Sequence, residues 1–205
     1  MKGNAGTGED GPWGTRSVML TGVGGHGTIL AANLLARVLM GHGYDVKTSE
    51  VHGMAQRGGS VISMVRFGES VASPLIPRGE AEAVLATELL EALRTLDYLR
   101  AGGRMIVSGA RVDPLTVLQG ASVYPQGAAE LLLRLSPDNV VVDAPGIAAE
   151  AGDARAANTV LLGILSVTLP VGCEEWVATM EEVVPPRALE ANRNAFLAGR
   201  EIASG

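Results

Sequence analysis

Residues 17–20, Ser-Val-Met-Leu, form a short apolar run that stops at Gly22, the pattern of a buried strand. From residue 28 to 40 the period changes. Ile29, Leu34, Leu35, Val38 and Leu39 recur near helical spacing, and Gly41 and Gly43 close the run. Residues 45–50 read as a second strand. Strand, glycine-rich turn, helix and strand make a βαβ unit, expected to be parallel and right-handed. A second glycine-rich loop follows at residues 52–59. Residues 60–67 are β-branched and partly alternating, and residues 67–71 read as a turn into another short extended segment, so these two are expected to form a hairpin.

Further on, the pattern alternates again. Residues 73–77 are irregular and 83–86 are a short strand. Residues 88–100 read as an amphipathic helix with Leu89, Leu93, Leu96 and Leu99 on one side, ended by Gly102-Gly103. Residues 104–108 and 140–143 are strands with a helix over 126–135 between them. The last third is helical, over 154–168, 174–183 and 187–202, broken by Pro170 and by Pro185-Pro186. The expected fold class is α/β, in one domain over residues 17–205. The glycine-rich, polar residues 1–16 are expected to be a flexible tail and lack the apolar run of a signal peptide.

Composition sharpens this picture. In 205 residues, 47% are hydrophobic but only 3% aromatic, so the core is built from Ala, Val, Leu, Ile and Met. That suits helices on a parallel sheet. A net charge of −6 argues against nucleic acid or an anionic membrane as the partner. The longest apolar-leaning stretch, 159–171, falls short of the ~18 residues of a membrane span. Cys173 is the only cysteine, so the chain can form no internal disulfide and hold no cysteine-rich cluster by itself. A lone cysteine suits a reducing, cytoplasmic setting. Its neighbours Glu174 and Glu175 disfavour a nucleophilic thiolate.

Two loops could carry chemistry. Gly22-Val23-Gly24-Gly25-His26-Gly27 has the spacing G-x-G-x-x-G between a strand and a helix, where glycines bring backbone N–H groups and a helix N-terminus to an anion. Glu50, at the end of the second strand, stands where a ribose-binding acid would sit. Equally, the glycines could only let the helix pack close to the strand. The second loop, from Glu50 to Ser60, offers His52, Gln56 and Arg57 at the carboxyl end of the sheet. Arg57 beside Gly58-Gly59 could hold a phosphate or carboxylate, or could simply pair with Glu50. Met54 is a flexible interface contact or core. His42 reads as a solvated helix end, His26 as a residue capping or lining the turn, and the glutamate pairs 174–175 and 181–182 as solvated helix faces. The three histidines lie far apart, without acids at ligand spacing, so no metal site is assigned.

The two loops, together with Ser73-Pro74-Leu75-Ile76, Ala86-Thr87-Glu88 and Tyr98-Leu99-Arg100-Ala101-Gly102-Gly103, resemble the γ-type subunits of the 2-oxoacid:ferredoxin oxidoreductases. The pattern is similar above all to the small (β) subunits of the indolepyruvate-specific enzymes. The run His52-Gly53-Met54-Ala55-Gln56-Arg57-Gly58-Gly59 is its most specific part. Asn158, Leu162-Gly163 and Asn194-Ala195-Phe196 extend it thinly, and His26 departs from a frequent Gln. The resemblance implies a three-layer sandwich, a mostly parallel Rossmann-like sheet with helices on both faces and a helical C-terminal part. It also implies oxidative decarboxylation of an aryl 2-oxoacid to an acyl-CoA with ferredoxin as acceptor. Thiamine diphosphate and the Fe–S clusters would then sit on a large (alpha) partner subunit, with coenzyme A joining in the assembled complex and no cofactor held by this chain alone. Gly152-Asp153 followed by Asn158 does not meet the family's thiamine diphosphate signature.

The candidate ligand- or interface-binding residues are therefore Gly22, Gly24, Gly25, His26 and Gly27, with Glu50, His52, Met54, Gln56, Arg57, Gly58 and Gly59; no catalytic side chain is assigned. A free-standing NAD(P)-binding Rossmann protein and a ligand-free structural subunit are the alternatives.

Overall fold

Strand β1 (Arg16–Val23) leads through the glycine turn into helix α1 (Thr28–Gly41), and β2 (Asp45–His52) follows. A computed structural model of the chain describes residues 14–53 and 58–204; the expected tail up to residue 13, and Met54, Ala55, Gln56 and Arg57, lie outside the described residues. After β2 come β3 (Ser60–Gly68), β4 (Ala81–Ala86), α2 (Leu89–Arg94), β5 (Leu99–Ser108), α3 (Leu115–Leu118), α4 (Ala128–Leu135) and β6 (Val140–Val142). The chain then continues as α5 (Ala144–Glu150), α6 (Ala157–Ser166), α7 (Cys173–Val183) and α8 (Pro186–Ser204).

The six strands form one sheet in the order β2-β3-β1-β4-β5-β6. Strands β1, β4, β5 and β6 pair in parallel. Strand β3 is reversed and pairs antiparallel with β1 on one side and β2 on the other. So β1 and β2 do run the same way, as the βαβ pattern requires, but they are not neighbours: β3 lies between them. The hairpin is made by β2 and β3, not by residues 60–67 with the segment after residue 68. Long-range pairing decided this, and no local pattern specifies it.

Alternation along the central strands builds the three layers. Val18, Leu20, Leu85 and Ile106 face α1, α6, α7 and α8. Met19, Val84, Met105 and Val107 face the other way, onto Ala92 of α2 and Leu132 of α4. Helix α1 ends where Gly43 takes φ +102° and the Gly43 and Tyr44 amides bond back to Met40 and Leu39.

The expected helix over 88–100 is corrected. The Thr95 hydroxyl donates to the Glu91 carbonyl at 2.9 Å and a 3₁₀ turn, Leu96–Tyr98, follows. Leu99 then opens β5 rather than closing a helix; Gly102, at φ +72°, sits inside that strand opposite a register shift in β4. Among the described residues no helix is long and apolar enough to cross a membrane.

Candidate functional site

The chain runs from β1 to β2 and β3 on one side and then returns to β4 on the other. The gap between the carboxyl ends of β1 and β4 is thus the point where an open α/β sheet binds ligands. A cleft of about 480 Å³ opens there. Gly25, His26 and Gly27 line it together with Thr87, Ser108, Arg155 and Asn158.

The glycine turn is shaped by two separate needs. Gly25 (φ +92°) and Gly27 (φ +80°) hold left-handed backbone that L side chains rarely adopt. Gly22 is needed for space: a Cβ there would lie 2.0 Å from Thr87 Oγ1 and 2.8 Å from Thr28 Oγ1. Gly27 caps α1 without a side chain, so no side-chain oxygen serves the first-turn N–H groups. The Thr28 and Thr87 hydroxyls beside Gly22 are buried and have no hydrogen-bond partner among the described residues. An unpaired buried hydroxyl costs about 1–3 kcal/mol. Free backbone N–H groups at a helix N-terminus are an arrangement that favours an anionic group.

The two sequence loops meet directly. Gly24 N–H donates to the Gly59 carbonyl at 2.8 Å, and Gly58 N–H to the Gly24 carbonyl at 3.4 Å. Gly25, His26, Gly27, Gly58 and Gly59 are therefore neighbours at the surface, with Gly22 and Gly24 buried beneath them. Glu50 and His52 stand apart from it, on β2 at the sheet edge, where His52 Nε2 contacts Glu50 Oε2 at 3.3 Å. With β3 intervening, Glu50 is not on the strand next to β1 where a ribose-binding acid belongs, and the dinucleotide reading loses its acid.

Several site residues come from parts of the chain that the loop motifs do not reach. Asn158, at the start of α6, donates from Nδ2 to the His26 carbonyl at 2.7 Å and pins the turn. Arg155 is held beside the cleft by Asp153, Nη2 to Oδ2 at 2.6 Å; this pairing pulls the Asp153 carboxyl down to about 2. Glu88, following Thr87, is buried and accepts from the amides of Glu91 (3.0 Å) and Val112 (3.2 Å) and from the Tyr124 hydroxyl. It thereby fixes Val112, which lines the cleft beside Ala110. Burial, then the bond to Glu88, pushes the Tyr124 phenol well above its ordinary value. Buried Glu91 in turn accepts from Ser60 and Arg94, tying the end of the second loop to α2. Only Thr87, Glu88 and Asn158 of this group carry a signal in the sequence, through the quoted resemblance. His42 and Glu175 are exposed, as expected, and also pair at 2.9 Å, and Glu175 accepts from the Gly172 amide at the start of α7.

Residues 17–202 match the profile of the pyruvate ferredoxin/flavodoxin oxidoreductase family. The chain is 38% identical over 194 residues to the indolepyruvate oxidoreductase subunit IorB of Pyrococcus horikoshii, covering 91% of this chain and 95% of that protein. In fold it is similar to the γ subunit of a keto/oxoacid ferredoxin oxidoreductase from Geobacter sulfurreducens, with TM-score 0.67 and 24% identity over 92% of this chain and 98% of that one. It is also similar to part of the 2-oxoglutarate:ferredoxin oxidoreductase of Magnetococcus marinus, with TM-score 0.68 and 18% identity over 93% of this chain and 31% of that one.

Proposed function

Because this chain belongs to the pyruvate ferredoxin/flavodoxin oxidoreductase family, we propose that it is the small subunit of an enzyme acting on an aryl 2-oxoacid of the indolepyruvate type. The reaction is oxidative decarboxylation to an acyl-CoA, with the electrons passed to ferredoxin. The observation that carries this reading is the match to the Pyrococcus subunit along 95% of that protein.

The enzyme works as a complex with a larger subunit, which brings thiamine diphosphate and the iron–sulfur clusters. This chain's donors fit no cluster: Cys173 is its only cysteine, and among the described residues no three of His, Cys, Asp and Glu converge. Thiamine diphosphate supplies the carbanion stabilisation for decarboxylation when bound in the complex. The small subunit's part is recognition. The turn of Gly22, Gly24, Gly25, His26 and Gly27 receives an oxygen-rich group at its exposed residues Gly25, His26 and Gly27, beside Thr87. The adjoining loop of Met54, Gln56, Arg57, Gly58 and Gly59, with Glu50 and His52 on β2 before it, meets the larger subunit or the phosphates of coenzyme A. The reading includes a cytoplasmic location, favoured by the lone cysteine.

The test is anaerobic reconstitution. The chain alone, the larger subunit alone and the mixture are assayed for reduction of ferredoxin dependent on 2-oxoacid and coenzyme A. Turnover is expected only in the mixture and faster with indolepyruvate than with pyruvate or 2-oxoglutarate. A mixture inactive with every 2-oxoacid, or NAD(P)-dependent turnover by the chain alone, overturns the proposal.

A further inference from the structure

The same parallel strands carry a second cavity at their amino ends, away from the cleft. It measures about 170 Å³. Val18, Ala83 and Arg104 lie side by side across β1, β4 and β5, with Arg16 one pleat earlier on β1 and Ile106 one pleat later on β5. The floor is apolar, from Val18, Ala83 and Ile106, and Leu165 of α6 and Leu169 close it from the helix side.

Its charges do not balance. Among the described residues Glu82 is the one acid lining it, against Arg16, Arg100 and Arg104. Each Glu82 oxygen is already taken: Oε2 by Arg16 Nε at 2.7 Å, Oε1 by Arg100 Nη1 at 3.1 Å. Arg16 also reaches the Thr168 carbonyl from Nη2 at 3.4 Å, so the carbonyl end of α6 accounts for that guanidinium. Nothing accounts for Arg104. Among the described residues its guanidinium has no ion pair, and its Nε is buried without a hydrogen-bond partner. A half-buried guanidinium whose Nε is buried and unpaired, over an apolar floor and beside two arginines that share one carboxylate, favours an incoming acceptor.

We propose that Arg104, with Arg100 and Arg16, binds one small free oxyanion in this cavity, a phosphate or a carboxylate. The guanidinium fork suits both, because it presents parallel N–H donors to two oxygens at once. Size restricts the ligand. The cavity is below the ~300–1,000 Å³ of sites for drug-sized molecules, so it takes a single anionic group rather than a nucleotide. The cavity lies at the other end of the strands from the glycine turn.

The experiment is calorimetric titration of the full chain, in low-salt buffer free of phosphate, with inorganic phosphate and separately with succinate. Saturable one-site binding of at least one of them is expected, and which one binds tells phosphate from carboxylate. Arg104→Gln weakens it at least tenfold, and Arg104→Lys less, since the charge stays and the fork is lost. Thr87→Val leaves it unchanged. Should Arg104→Gln fail to fold by circular dichroism, Arg100→Gln, at a half-exposed position, is expected to weaken binding in its place. The proposal is overturned by absence of saturable binding of both anions or by full-strength binding to the folded arginine variants. It is equally overturned by loss of binding in Thr87→Val, which would move the anion to the cleft.

Discussion

A methyl group at Gly22 has nowhere to go. It would stand 2.0 Å from Thr87 Oγ1 and 2.8 Å from Thr28 Oγ1, and both neighbours are β-branched side chains with stiff χ1. Gly22→Ala is expected to destabilise the chain by about 1–3 kcal/mol, the cost of overpacking a filled site. Adding Thr87→Ala removes the nearest atom. The double variant should recover part of the loss, a coupling of about 0.5–3 kcal/mol measured by denaturant unfolding of all four chains. Strict additivity would show that the glycine answers to something other than Thr87. The Asp153–Arg155 pair gives a pH signature beside the same cleft. Asp153 is depressed to about 2, so its contribution to stability is present above the ordinary carboxylate pKa of ~3.9 and is lost as the pH falls toward 2. Arg155 is exposed and Asp153 half-buried, so this is a small effect on stability but a clear one by NMR. The Asp153 carboxyl should titrate near 2 in the native chain and move up toward the ordinary value in Arg155→Gln. A midpoint that ignores Arg155→Gln would show the pair is not formed in solution.

Where α6 crosses α8, the contact is backbone against backbone. A Cβ on Gly163 would lie 2.2 Å from the Phe196 carbonyl oxygen, and one on Gly199 would lie 2.1 Å from the Val160 carbonyl oxygen. Backbone cannot rotate aside as a side chain can, so Gly163→Ala must push the helices apart. It would also disturb the Phe196 ring, which packs 5.2 Å from that of Trp176. A loss of about 1–3 kcal/mol or more is expected, read as a lowered midpoint in thermal unfolding; an unchanged midpoint would mean the helices cross farther apart. This scale also shows what the sequence could and could not say. Helices α1, α7 and α8 were legible because their apolar stripes are bounded by Gly43, Gly172 and Pro185-Pro186. The junction of α2 and β5 was not, because Leu89, Leu93, Leu96 and Leu99 keep helical spacing while a side-chain bond from Thr95 stops the helix between them. The place of β3 between β1 and β2 was hidden because register is set by partners far along the chain. Of the cleft, the glycine turn could be read from local spacing. The lining from Ser108 and Arg155 could not, since it is assembled from segments that meet only in the fold.

At the scale of the whole molecule, the question is what the loop of residues 52–59 does for the chain and what it does for the complex. Its far end is anchored: Gly58 and Gly59 bond to Gly24, and Ser60 to buried Glu91. Its near end leaves β2 through His52 and Gly53, and the Gly53 amide donates to the Ser60 carbonyl at 3.1 Å. Both feet are therefore secured among the described residues, and Glu50, the partner the sequence offered for Arg57, has His52 at 3.3 Å. If Arg57 only paired with Glu50 at the surface, removing it would cost about 0–1 kcal/mol and change nothing else. If it meets a carboxylate of the larger subunit or a phosphate of coenzyme A in a desolvated contact, its loss costs about 2–5 kcal/mol of binding, because the partner group is left unpaired. The proposed role of the loop selects the second case. Arg57→Ala is expected to leave the melting temperature of the isolated chain nearly unchanged. In the reconstituted enzyme it should weaken association with the larger subunit or raise the KM for coenzyme A by at least tenfold. Arg57→Lys, which keeps the charge but loses the fork, should fall between the two. A variant that unfolds the isolated chain while its folded fraction assembles and turns over normally would make Arg57 a structural residue and remove the loop from the interface.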